Sequence, residues 1–130
     1  MNQSMTITLR AAAATDLSAA TNLGLGAAQD TDGRIVLAGA NGRNGVGVIT
    51  DTPRAAGQPV TLAVLGTVRA RAGGALDEGD WVTTEAGGGF VIADEGDDVW
   101  GRCIQRGGAA DGDLFDLLLV PSGGSTAPQP

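Results

Sequence analysis

The sequence contains no histidine, no lysine and no tyrosine, and it has a single cysteine. Without histidine, the Ser-His-Asp and Cys-His arrangements of nucleophilic catalysis are excluded, as are metal sites with histidine ligands. Without lysine, the chain has no Gly-x-x-x-x-Gly-Lys loop for binding phosphate. The lone Cys103 cannot form an intrachain disulfide, and its position in an apolar run favours a buried small side chain over a nucleophile.

Aromatic side chains are scarce, and arginine alone carries the positive charge. Aromatic residues make up 3% of the 130 residues, so the core of this single domain has to be built mainly from Val, Leu, Ile and Ala. The formal net charge is −7 at pH 7. This acidity argues against nucleic acid and against an anionic membrane surface, since both need a positive patch. We therefore expect neither as a partner.

Long apolar runs are also missing. The start of the chain lacks the basic residues and the ~7–15 apolar residues of a signal peptide. No run approaches the ~18 apolar residues that span a bilayer. We expect a soluble protein that is made in the cytoplasm.

Glycine, by contrast, is abundant, at 22 of 130 residues. It recurs at the spacing of turns between short alternating or apolar runs, which indicates many short strands and no helical period. We predict an all-β fold, a small β-barrel or sandwich of about ten short strands, with an extended N-terminal arm. Residues 122–130 form a Gly/Ser/Pro tail with the composition of a flexible segment.

Two stretches of the chain share one order of strand and turn signals. The first runs from Gly33 to Val64, and the second runs from Gly88 to Leu119. The spacing predicts a β-barrel domain over residues 22–121, built from two pseudo-repeats at about 22–71 and 77–120. The matching pairs, at offsets of 55, 55, 54 and 55 residues, are Gly33 with Gly88, Ala38 with Ala93, Gly47 with Gly101, and Gly57 with Gly112.

Residues 1–21 precede both pseudo-repeats and form the predicted arm and its connection. Within the arm, Met5–Arg10 alternates apolar and polar side chains, which is the pattern of a half-buried strand. A strand without a partner in its own repeat needs an edge to pair with, either in this chain or in a neighbouring subunit. We favour β-augmentation of a neighbour. The candidate contact residues of the arm are Met5, Ile7, Leu9 and Arg10.

The acidic residues are concentrated in predicted turns. The run from Asp30 to Gly33 resembles a fragment of a calcium loop but lacks its other ligand positions, so turn chemistry is favoured. Asp94–Asp98 has four carboxylates in five residues, and a solvated loop is favoured over a cation site. Asp80 could act as an acid together with Glu85, but a turn-capping role is favoured. We predict no catalytic, cofactor or metal site, and a small carboxylate hydrolase is the weakest hypothesis.

Trp81 and Trp100 are the two tryptophans of a chain that is poor in aromatics. Tryptophan is enriched at the energetic centres of protein interfaces, so both residues are candidate contacts with another chain. A structural role in the core is equally consistent with the sequence.

Several short motifs, taken in their order and spacing, resemble the capsid cement (head decoration) proteins of tailed bacteriophages. The resemblance covers roughly Thr6 to Val120, whereas the acidic turn at Asp94–Asp98 and the tail depart from the family pattern. The motifs are Thr15-Asp-Leu-Ser18, Asp32-Gly-Arg-Ile-Val-Leu-Ala-Gly39, Gly45-Val-Gly-Val-Ile49, Ala55-Ala-Gly-Gln-Pro-Val-Thr-Leu62, Leu65-Gly-Thr-Val68, Gly73-Gly-Ala-Leu-Asp-Glu-Gly-Asp80 and Gly112-Asp113.

The resemblance implies a structural protein of the virion that binds the outer surface of the mature capsid, without catalysis and without a cofactor. Such proteins act as homotrimers at local three-fold positions, where they bridge subunits of the major capsid protein. The expected partners are therefore the major capsid protein and further copies of this chain. The alternative is a tail or fibre β domain that binds glycans or other structural proteins. A glycan groove would need Trp81 and Trp100 to face solvent.

Overall fold

The computed structural model describes residues 6–53 and 55–120, and it confirms the predicted all-β fold. This part of the chain forms nine strands, where about ten were expected, and two 3-10 turns of three residues each. None of its helices is long and apolar enough to cross a membrane. The strands are β1 (Thr6–Ala12), β2 (Gly26–Gln29), β3 (Ile35–Leu37), β4 (Gly45–Asp51), β5 (Pro59–Arg71), β6 (Trp81–Thr84), β7 (Phe90–Ile92), β8 (Gly101–Cys103) and β9 (Leu114–Leu119). The 3-10 turns are Ala20–Asn22 and Ala40–Gly42.

The nine strands belong to one antiparallel sheet in the order β3-β2-β4-β5-β9-β8-β6-β7, and β1 pairs with β5 beside this path. The central strand, β5, is 13 residues long. Its first half pairs with β1 and β4, and its second half pairs with β9. The two halves of β5 join at Gly66, which has a φ of 103° that only glycine adopts readily.

The strand pairings divide the sheet into two units with the same connectivity. In the first unit, β2 pairs with β3 and β4, and β4 and β1 pair with the first half of β5. In the second unit, β6 pairs with β7 and β8, β8 pairs with β9, and β9 pairs with the second half of β5. The second half of β5 therefore has the position in the second unit that β1 has in the first.

Single parallel bridges connect the first strand of each unit to its third. Ala13, just after β1, bridges to Ile35 of β3, and Ala72, just after β5, bridges to Phe90 of β7. The N–H of Gly57 donates to the carbonyl oxygen of Ala13 at 2.8 Å, as the N–H of the matching Gly112 does to Ala72 at 2.8 Å. The turns that the sequence pattern aligns thus make equivalent backbone contacts.

The matched glycines Gly47 and Gly101 occupy equivalent close contacts between strands. A Cβ atom on Gly47 would clash with the carbonyl oxygen of Ala63, and a Cβ atom on Gly101 would clash with that of Leu118. Both strands therefore need a residue without a side chain at this point. The steric need explains why glycine stands at both positions of the repeat.

The core consists of two clusters of small and branched side chains, as the composition predicts. The second unit contains the aromatic part, in which Phe90 makes edge contacts with Trp100 at 5.4 Å and with Phe115 at 6.2 Å between ring centroids. Cys103 is fully buried, which confirms the prediction for it. The smaller cluster of the first unit contains Ala13, Leu17, Ala27, Ile35, Ile49, Val60 and Leu62.

Candidate interaction surface

Strand β1, which carries the predicted arm contacts, pairs with Pro59–Gly66 of its own chain. Met5 lies outside the described residues, as do the side chains of Ile7 and Leu9, and Arg10 is exposed. Among the described residues, no strand pairs with the second edge of β1. An open edge of seven residues is a template for pairing with a strand of another chain. β-Augmentation through β1 therefore stays a prediction. One edge of β1 pairs with β5, so a strand of another chain would pair with its other edge.

The two tryptophans have different environments. Trp81 on β6 is 43% exposed, and the guanidinium carbon of Arg102 lies 5.7 Å from the centre of its ring, in a cation–π arrangement. Trp100 is 6% exposed, and its Nε1 donates a hydrogen bond to the carbonyl oxygen of Gly42 at 3.0 Å. Burial leaves the Trp100 ring no free surface for another chain, so its expected contact role is replaced by a role in the core. A glycan groove with both rings facing solvent is not formed.

Trp81 begins a row of outward-facing side chains that crosses the second unit. It pairs with Arg102 of β8, Arg102 pairs with Leu118 of β9, and Leu118 pairs with Thr67 of β5. Cross-strand partners share one face of a sheet, and Leu118 is 38% exposed on that face. We call the exposed apolar residues of this side, together with Arg102, the outer face; they are Trp81, Arg102, Ile104, Leu114, Leu118 and Val120.

Sequence reasoning identified Trp81 but missed the rest of the outer face. The signal was present in β9, where Leu114 and Leu118 alternate with the buried Phe115, Leu117 and Leu119. An antiparallel strand with one solvated face normally has polar residues at the outward positions. Of the three outward positions of β9, only Asp116 is polar, so Leu114 and Leu118 make parts of this strand apolar on both faces of the sheet.

Asp30 and Asp80 act in turns, as predicted. One carboxylate oxygen of Asp30 accepts the N–H groups of Asp32 and Arg34, both at 2.9 Å. Asp80 accepts the N–H of Asp77 at 2.8 Å, which is the turn-capping role expected for it. Within residues 6–53 and 55–120, no group of three or more acidic or cysteine side chains could hold a metal ion.

An open depression lies near the end of β2. Its lining includes Gln29, Asp30, Asn44 and Val46. Neither of the carboxylates considered for catalysis, Asp80 and Glu85, contributes to it. The depression therefore gives no support to the hydrolase hypothesis.

Comparison with known proteins identifies a solved structure with a similar fold. The sequence matches no protein-family model and no curated protein. Among solved structures, the chain is similar to the N base of the head fiber protein gp8.5 in bacteriophage phi29, with a TM-score of 0.64 and 22% sequence identity. The match covers 96% of this chain and 100% of that one. At this identity, the likeness establishes a common fold over essentially the whole chain.

Proposed function

We propose that this chain is a non-catalytic structural protein of a bacteriophage head, and that it binds the outer surface of the mature capsid as a decoration (cement) protein. The observation that carries the proposal is the whole-length fold likeness to a domain named as the base of a phage head fibre. The ordered set of motifs that resembles cement proteins supports the same assignment independently of the fold.

The proposed mechanism is multivalent binding by a homotrimer. Three copies that each contact different subunits of the major capsid protein gain avidity beyond that of any single contact. A protein that binds only the expanded lattice also shifts the equilibrium toward that lattice. The candidate contacts are the outer edge of β1, which can accept a strand, and the outer face around Trp81.

The proposal is tested by adding the purified protein to expanded heads that lack it and measuring co-sedimentation. Saturable binding to expanded heads, with weak binding to unexpanded heads, is the expected result. Failure of the protein to sediment with expanded heads would overturn the proposal. Cryo-electron microscopy of the saturated heads should then show compact trimeric density at local three-fold positions.

The role of β1 has its own matched test. Ala12→Lys places a charge on the open edge strand, where lysine opposes pairing with another strand. Ala55→Lys makes the same change in an exposed loop. We expect the first variant to lower capsid occupancy and the second to leave it unchanged. Equal occupancy of the two variants would contradict β-augmentation through β1.

A second candidate function is the base of a head fibre, because the similar solved domain is such a base. The same micrographs separate the two functions. A decoration protein gives density that ends in a compact knob, whereas a fibre base gives density that continues outward from the knob.

A further inference from the structure

The net charge of the protein lies entirely in its second half. Residues 1–65 contain four acidic residues and four arginines, so this part is formally neutral. Residues 66–120 contain the other eleven acidic residues and four arginines. The formal charge of −7 therefore belongs to the half that carries the outer face.

The acidic residues of this half are placed around the outer face and not on it. Asp116 is the exception within the strands, and Arg69 neutralises it through an ion pair of 3.0 Å. The others occupy the connections between strands, at residues 77–80, 85, 94–98 and 111–113.

Three of these connections adjoin the outer face directly. The carbonyl oxygen of Gly79, between Glu78 and Asp80, accepts the Nε of Arg102 at 3.1 Å. The N–H of Ala93 donates to the carbonyl oxygen of Trp81 at 2.9 Å, so the acidic turn at residues 94–98 begins beside the backbone of Trp81. The third connection, residues 111–113, leads directly into the first residue of β9. The outer face thus has a mainly apolar centre, which also contains Arg102, and an acidic rim.

An apolar centre with a polar rim is the usual anatomy of a protein–protein interface. From this arrangement, we infer that the outer face docks on a protein surface that has an apolar centre and a rim of Lys and Arg side chains. Charge complementarity argues for such a partner, since opposite charges around the rim guide association and exclude other partners. The inference rests on the proposed function, which assigns this surface to the major capsid protein of the expanded head.

A second copy of this chain does not fit the same face. Two outer faces in contact would bring two acidic rims together, and like charges across an interface oppose association. The first half, whose charges balance, has no net positive charge with which to attract the acidic rim. Trimer contacts should therefore involve other parts of the molecule, which leaves the outer face free to dock.

The experiment measures the affinity of the full chain for purified expanded heads that lack it. Trp81→Ala and Leu118→Ser remove exposed apolar groups at the centre of the face, and each should weaken binding by about tenfold or more. Ile92→Ser is the matched control, because Ile92 is 49% exposed but pairs with the buried Val82 on edge strand β7. The control should bind like the wild type.

The rim is tested by salt and by neutralisation. Raising NaCl from about 50 mM to about 500 mM screens surface charges, so wild-type affinity should fall. Asp94→Asn with Asp113→Asn should weaken binding at low salt and reduce this dependence. If neither treatment changes the binding affinity, the inference that the partner has a rim of Lys and Arg side chains is wrong.

Sedimentation velocity distinguishes the remaining outcomes. Trp81→Ala should keep the oligomeric state of the wild type, and its dissociation into smaller species would show that the face joins copies of this chain. If the wild type binds heads and the face variants bind equally well, the inference fails while the proposed function stands. If the wild type does not bind heads, both fail.

Discussion

The indole Nε1 of Trp100 donates a buried hydrogen bond of 3.0 Å to the carbonyl oxygen of Gly42. Gly42 ends the 3-10 turn that follows β3 in the first unit, and Trp100 precedes β8 in the second. The same ring covers Gly45 so closely that a Cβ atom there would clash with it. Trp100 therefore joins the two units, and its burial follows from this position.

The first prediction concerns the emission of the two tryptophans. In Trp100→Phe, the remaining Trp81 is 43% exposed, so iodide should quench its fluorescence strongly. In Trp81→Phe, the remaining Trp100 is 6% exposed, and its emission should be blue-shifted and protected from iodide. Similar quenching constants for the two variants would contradict the placement of both rings.

The second prediction concerns stability and uses the same pair of variants. Trp100→Phe removes the donor to Gly42 and leaves a buried carbonyl oxygen without its partner, which should lower the free energy of unfolding by about 1–3 kcal/mol. Trp81→Phe changes a surface residue and should stay within about 0.5 kcal/mol of the wild type. Urea unfolding followed by far-UV circular dichroism measures both. Equal effects would mean that the bond to Gly42 does not contribute to stability.

The third prediction concerns the equivalent glycines of the two units. Gly47→Ala and Gly101→Ala each place a methyl group against a backbone carbonyl, which cannot move aside as a side chain could. Each should destabilise the protein by about 1–3 kcal/mol, as overpacked sites do. Gly39→Ala is the control, since Gly39 has a φ of −98° and no atom lies within 4 Å of the added Cβ. If the control loses as much stability as the other two, the steric explanation is wrong.

The fourth prediction concerns pH. Burial raises the pKa of the Cys103 thiol from its ordinary value of 9.0, and the nearby carboxylates of Asp80 and Glu78 add to the effect. A raised pKa in the folded state favours the neutral thiol, so this contribution to stability is full below pH 9.0 and is lost as the pH rises above it. Cys103→Ala should flatten that part of the stability profile. A thiol reagent at pH 8 should label Cys103 only after unfolding.

The sequence was sufficient to predict the all-β fold, since turn signals and short apolar runs are local features. The role of the second half of β5 was harder to predict, because Gly66 interrupts the alternating pattern of the strand. The sequence therefore did not indicate that Thr67–Arg71 and Thr6–Ala12 have equivalent positions in the two units. Pairing between strands distant in sequence depends on the whole sheet, which local spacing does not encode.

The candidate surface was predicted only in part, and for a similar reason. Nothing near Trp81 or Trp100 in the sequence separates an exposed ring from a buried one. Trp100 is buried because Gly42 and Gly45, from the other unit, leave space for its ring. Leu118 was missed because hydrophobic residues are normally assigned to the core, although alternation along β9 places it outside.

The positions of the first and last described strands lead to the fifth prediction, a circular permutant. Thr6 and Leu119 both have Gly66 as their strand partner. Partner Cα atoms lie about 4.5–5.5 Å apart, so the Cα atoms of Thr6 and Leu119 are within about 11 Å of each other. Joining residue 130 directly to residue 1 leaves residues 121–130 and 1–5 as a linker, and fifteen residues at up to about 3.3 Å each span that distance easily.

The informative place to open the permutant is between Leu65 and Gly66. Each half of β5 then keeps its own ladder, the first with β1 and β4 and the second with β9. This permutant should unfold cooperatively in urea with the near-UV circular dichroism of the wild type. Opening the chain between Leu62 and Ala63 instead cuts the segment of β5 that pairs with β1 on one edge and with β4 on the other. That permutant should be strongly destabilised or unfolded. The reverse order of stability would contradict the division of β5 at Gly66 and, with it, the assignment of β1 and the second half of β5 to equivalent positions.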